Sequence, residues 1–113
     1  MRRTLLSLAL CGALLSSSAA AQAAPEPPSS GRLFSYGSHE RQNITVYGAA
    51  RSAHRPALVI LHGGSWARDT DWSGRARWFA ARGFTVYDTD YRLTSDAAWP
   101  AQRDDVLAAL RWV

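Results

Sequence analysis

The ten residues Ala57-Leu58-Val59-Ile60-Leu61-His62-Gly63-Gly64-Ser65-Trp66 constrain the fold of this chain more than any other stretch. A short, branched, apolar run that stops at a histidine and two glycines reads as a buried strand over residues 57–62. Gly63 and Gly64 then leave backbone N–H groups able to face a bound oxyanion, which is half of an acyl-transfer site. The other half, a nucleophile on a sharp strand-to-helix turn written G-x-S-x-G, does not occur among the 113 residues.

The flanking segments fix the class. Residues 32–36 and 42–47 alternate apolar and polar around Gly37-Ser38, the pattern of a β-hairpin. After the 57–62 strand the period changes: Trp72, Ala76, Phe79 and Ala80 recur at helical spacing. Asp71 stands where an N-cap belongs, Arg82 in the last turn and Gly83 at a left-handed cap. Residues 84–90 read as a further strand. Pro100 then suits the first turn of a helix, with Asp104 and Asp105 as charges near its positive end and Val106, Leu107, Leu110 and Val113 as its apolar face. A hairpin followed by strand, helix, strand, helix implies a parallel crossover and an α/β fold. A helix ending at Val113 leaves its apolar face expecting another strand, so the reading is of a truncated domain.

The N-terminus is set apart. Arg2 and Arg3 precede an apolar stretch over residues 5–15 and a small-residue segment, the order of a secretory signal peptide whose cleavage fits best after Ala21-Gln22-Ala23, with Ala19-Ala20-Ala21 nearly as good. Residues 24–31, rich in Pro and Ser, form a flexible leader, and the domain occupies 32–113. The chain is thus expected to be secreted or periplasmic. Its one cysteine, Cys11, lies in the signal, so the exported part has no thiol to pair or to bind metal. The net charge of +4 includes Arg2 and Arg3, and the remaining arginines are scattered among aspartates, which is no nucleic-acid footprint.

Several motifs then coincide in order: His62-Gly63-Gly64-Ser65-Trp66, Arg82-Gly83-Phe84, Asp90-Tyr91-Arg92-Leu93, and Trp99-Pro100-Ala101-Gln102-Arg103-Asp104-Asp105 leading to Ala109-Leu110-Arg111-Trp112-Val113. Over residues 32–113 this series resembles the N-terminal part of the α/β-hydrolase superfamily. Within it the likeness is to secreted bacterial esterase/lipase-like proteins with an H-G-G-x-W loop, a group with carboxylesterase and feruloyl-esterase-like members. The resemblance implies an oxyanion hole at Gly63, Gly64 and Ser65, with His62 fixing the loop and Trp66 lining a pocket or bracing the loop. It implies that the Ser, acid and His of a triad lie beyond Val113, so that a chain truncated before the nucleophile elbow is inactive alone. The implied substrate of a complete relative is a small ester, with no cofactor or metal.

Other constellations carry less. Ser65, with His62 three positions away, lacks the elbow that presents a nucleophile. His39 and His54 read as solvated turn histidines. Asp69-Thr70-Asp71-Trp72-Ser73-Gly74 opens like a calcium loop, but Ala80 stands where the bidentate Glu is required. Asp90 and Arg92 read as an ion pair anchoring a loop at the carboxyl end of a strand. The alternative to an esterase is a non-catalytic secreted module that binds through the Trp-rich loop 66–78. Either reading leaves an exposed strand edge open to self-association or to complementation by a separate fragment.

Overall fold

The computed structural model describes residues 30–48 and 54–113; the expected signal peptide and most of the expected leader lie outside them. Strand β1 (Arg32–Ser35) pairs antiparallel with β2 (Asn43–Tyr47), Arg32 opposite Val46 and Ser35 opposite Asn43. The turn between them is closed by Tyr36 N–H donating to Gln42 O and Gln42 N–H to His39 O, both at 2.9 Å. Strand β3 (Ala57–Leu61) leads into helix α1 (Ser73–Ala80), then β4 (Thr85–Thr89) and helix α2 (Ala101–Trp112). β4 pairs parallel with β3 and antiparallel with β2, giving the order β1-β2-β4-β3. The hairpin and the β-α-β-α series of an α/β fold are as the sequence implies.

The period of two sorts side chains to the two faces of this sheet. Tyr47, Ile60 and Val86 pack against Ala76 and Ala80 of α1. Ile44 and Val46 point the other way, toward Ala109 of α2. Alanine at each helix contact lets the helix approach closely, and full burial of Ile44 and Val86 contributes about 2 kcal/mol apiece. Among the described residues β3 is an edge strand, with Ala57 and Leu61 exposed.

The helix ends depart from expectation. Trp72, not Asp71, is the N-cap of α1, and its indole is exposed rather than on an apolar face. Asp71 still serves the helix start, because its Oδ1 accepts the Ser73 N–H at 2.8 Å from one position further out. Arg82 falls beyond the last turn, where Arg77 stands instead; its guanidinium lies 3.5 Å from the Trp78 ring centroid and donates to Trp78 O. Gly83, at φ +97°, does take the left-handed conformation. Pro100 caps α2 rather than opening its first turn.

The inward side of α2 is polar where an apolar face was expected. Gln102, Asp105 and Ala109 are buried, whereas Leu107, Leu110 and Val113 are exposed. Asp105 is therefore no helix-terminal charge. Arg92 grips it with Nη2 on Oδ1 (2.7 Å) and Nε on Oδ2 (2.8 Å), while the Arg92 N–H and Gln42 Nε2 also donate to it. Four donors compensate for removing the carboxylate from water. Nor does Arg92 pair with Asp90, which has other partners.

Burial pushes the Asp105 carboxyl up, but the hydrogen bonds from Arg92 and Gln42 outweigh it and hold the group below its ordinary 3.8. A carboxyl lowered in the folded state stabilises fully above its unfolded value, and that contribution disappears as pH falls through the folded value. Asp105→Asn is expected to destabilise the fold by about 3 kcal/mol at pH 7. Urea denaturation checks this, and the gap between the two proteins should close as pH drops below 3.8.

Candidate functional site

The loop leaving β3 is organised by what holds its carbonyls. The buried Tyr91 hydroxyl donates to His62 O at 2.6 Å. His62 Nδ1 donates to Gly63 O at 2.9 Å, with Thr70 Oγ1 at 3.5 Å from the same oxygen. Gly64 O accepts from the N–H groups of Ala67 (3.0 Å) and Arg68 (3.1 Å). In a planar trans peptide the N–H points opposite to the C=O, so holding these three carbonyls fixes the directions of the Gly63, Gly64 and Ser65 amides. Those three amides donate to no acceptor among the described residues. Consecutive, oriented and unpaired N–H groups can hold a negative charge developing on oxygen, each contributing roughly 3 kcal/mol where water is excluded.

Ser65 (φ +55°) and Trp66 (φ +63°) both adopt the left-handed backbone, which costs a non-glycine residue about 1 kcal/mol or more. The conformation is sustained by the turn onto Gly64 O and by Thr94 N–H donating to Trp66 O at 2.8 Å. Tyr91 joins both parts of the loop: its ring stacks on His62 with centroids 4.2 Å apart and meets Trp66 edge-on at 5.2 Å. Trp66 is 41% exposed and faces Trp99 at 6.1 Å, so it braces the loop through one edge and presents the rest to solvent.

Beside the loop, on the α1 face of the sheet, lies a cleft of about 410 Å³. His62, Thr70 and Trp72 line it together with Asp69, Asp71, Asp88 and Asp90. Burial raises the Asp88 carboxyl first, and repulsion from Asp71 adds to it. Asp90 Oδ1 lies 3.0 Å from His62 Nε2 and accepts the Tyr91 N–H at 2.8 Å. Arg41, from the β1–β2 turn, places Nη1 3.1 Å from Asp69 and 3.2 Å from Asp90. His62, Asp69 and Asp90 offer ligand atoms within 4.8 Å of one another, but the cation that two of them hold is the Arg41 guanidinium.

The structure thus brings His62, Gly63, Gly64, Ser65 and Trp66 into one loop. The two ring nitrogens of His62 are committed to a carbonyl and a carboxylate, and neither bonds Ser65. His39 is half-buried rather than solvated, with Nδ1 accepting the Arg41 N–H at 3.2 Å, while His54 is exposed. Trp112 packs on Phe34 at 5.3 Å and Trp78 lies under Arg82, away from the loop. Sequence reasoning missed Tyr91, Thr70 and Arg41. Only Tyr91 carried a signal, as the residue between two charges at a strand end.

The family model described as BD-FAE matches residues 44–113. Carboxylesterase NlhH of Mycobacterium tuberculosis is 44% identical over 62 residues, which are 51% of this chain and 19% of that protein. Dipeptidyl aminopeptidase BIII of Pseudoxanthomonas mexicana is 29% identical over 69 residues, 50% of this chain and 10% of that one. Among solved structures, esterase B from Lactobacillus rhamnosis superposes with a TM-score of 0.60 at 28% identity, over 75% of this chain and 30% of that one. Thermogutta terrifontis esterase 2 phosphorylated by paraoxon shares the fold, with a TM-score of 0.60 at 24% identity over 74% of this chain and 36% of that one. The chain spans 19% of the length of the carboxylesterase that it matches.

Two adjacent glycines separate cleanly. A Cβ at Gly64 (φ +121°) would strike the Arg68 carbonyl oxygen, whereas a Cβ at Gly63 meets nothing within 4 Å. Gly64→Ala is expected to cost at least about 2 kcal/mol and Gly63→Ala within about 0.5 kcal/mol, read from thermal melting of the two variants.

Proposed function

The chain belongs to the BD-FAE family and carries the N-terminal part of an esterase-like α/β-hydrolase, and from that premise we propose that it takes part in carboxylic-ester hydrolysis by supplying the oxyanion side of the site. The observation that carries this reading is the run of three amides at Gly63, Gly64 and Ser65 that find no acceptor among the described residues. In the proposed reaction a serine hydroxyl attacks the acyl carbonyl as a general base takes its proton, the carbonyl π pair moves to oxygen, and these amides hold the resulting charge. The pair returns as the alkoxide leaves with that proton, and water then attacks the acyl-serine in the same way to free the acid and the serine.

The serine is not among these 113 residues in a G-x-S-x-G setting, and Ser65 is unsuited because it lacks that elbow and neither ring nitrogen of His62 bonds it. Residues 1–113 are therefore catalytically incomplete alone in this reading. The esterase names of the relatives favour esters. The four carboxylates of the neighbouring cleft favour a substrate that carries no negative charge on that side. The exposed β3 edge suits complementation by further strands or by a second copy. The signal-like segment at the N-terminus supports export, and no described helix is long and apolar enough to cross a membrane. A second reading, a binding module without catalysis, draws on the exposure of Trp66, Trp72 and Trp78.

The full chain is expected to give no turnover of p-nitrophenyl butyrate. Residues 32–113 grafted in place of the matching segment of carboxylesterase NlhH should hydrolyse it, and Gly64→Ala in the graft should lower kcat by about 100-fold. A folded graft without turnover would overturn the esterase reading. Turnover by the unmodified chain that Ser65→Ala abolishes would overturn the claim that the nucleophile is absent.

A further inference from the structure

The middle amide of the three, at Gly64, depends on the His62 ring, and that ring depends on a group that enters from a distant part of the chain. Asp90 holds the far ring nitrogen of His62, Nε2, through Oδ1 at 3.0 Å, and the Tyr91 N–H holds the same oxygen. A carboxylate anchored by one oxygen can still rotate. The other oxygen, Oδ2, is taken at 3.2 Å by Nη1 of Arg41, which fixes the carboxylate plane and with it the imidazole. The same Nη1 reaches Oδ2 of Asp69, on the far side of the loop, at 3.1 Å. Arg41 Nε lies 3.3 Å from Oδ2 of Asp96, which also accepts the Leu93 N–H in the turn after β4.

We propose that Arg41 is a positioning residue for the Gly64 amide, acting through Asp90 and His62, and that its planar guanidinium ties the β3 loop, the end of β4 and the turn after it into one unit. The proposal rests on the oxyanion reading given above. Arg41 reaches no amide of the loop itself. It acts because each link passes orientation on: guanidinium to carboxylate, carboxylate to imidazole, imidazole to the Gly63 carbonyl, and that carbonyl to the Gly64 N–H. Charge gives a second reason. Without Arg41, Asp69, Asp90 and Asp96 lose an arginine that all three share, and mutual repulsion spreads the loop around His62. Lysine keeps the charge but not the fork, so one ammonium cannot serve three carboxylates lying in different directions.

The test uses the ¹⁵N-labelled full chain and reads backbone order parameters at Gly63, Gly64 and Ser65, with hydrogen exchange at Ala76 and Val86 as the core reference. In Arg41→Ala the Gly64 amide should fall from the rigid level of about 0.85 to below about 0.6, with Gly63 and Ser65 changing less, and the His62 ring N–H should exchange faster. Protection at Ala76 and Val86 should stay as in the parent. Arg41→Lys should lie between the two, and it decides the matter if Arg41→Ala does not fold. An unchanged Gly64 order parameter would overturn the proposal, as would a loss at the loop that appears only together with loss at Ala76 and Val86. The measurement needs no turnover, so an inactive esterase graft refutes the functional reading while leaving this result to stand or fall separately. In an active graft, Arg41→Ala should lower kcat at least 10-fold with KM unchanged, and an equal kcat would also overturn the proposal.

Discussion

A peptide unit cannot turn its N–H without turning its C=O, and the loop after β3 is built on that constraint. Tyr91 and His62 never touch the Gly63 or Gly64 nitrogens. They grip the oxygens on the opposite side of the same planes, so the amides stay free while their directions are fixed. A donor paired with a protein acceptor would be oriented but occupied, and a donor left to water would be free but unoriented. Gripping the carbonyl gives both properties at once. Gly64 follows from the same geometry, because the plane that aims its amide leaves no room for a Cβ against the Arg68 carbonyl.

The same logic of held acceptors recurs on the other face of the sheet. Asp105 is buried on the inner side of α2, yet it satisfies the backbone N–H of Arg92, its guanidinium and the Gln42 amide together. Gln42 sits in the β1–β2 turn, one residue from Arg41. One tight turn therefore sends a side chain to the α2 carboxylate and another to the carboxylates around His62. The hairpin is more than a cover for the sheet edge; it is where the polar networks of the two faces meet.

How far the sequence could be read follows the range of the interactions. Strand alternation at residues 43–47 and 85–89 is a local signal, and both strands form where alternation places them. The glycines after β3, the left-handed Gly83 and the clustering of His62 to Trp66 were equally visible, since each depends on neighbours in sequence. The inner face of α2 was not. Hydrophobic periodicity assigns Leu107 and Leu110 inward, and only knowledge of where Arg92 lies reveals why Asp105 takes that side instead. The partner of Asp90 was likewise hidden, because an aspartate two residues from an arginine pairs with it by default, whereas Arg41 comes from 49 positions upstream. Asp71 shows the smallest version of this error: the capping side chain was recognised, and the first helical turn simply began one residue later.

Those long separations have a temporal consequence. Arg41 is made before β3, but its partners at Asp90 and Asp96 follow β4, and Tyr36 reaches the Asp90 carbonyl across 54 positions. Closing such spans costs chain entropy that is recovered only once both ends are in place. The hairpin and α1 can gather local contacts early, while the loop between β3 and α1 must wait for strands and turns that lie later in the chain. Its geometry therefore rests on contacts that no local segment of the chain can supply by itself. An ordered loop at Gly63 and Gly64 is in this sense a certificate that everything around it has already come together.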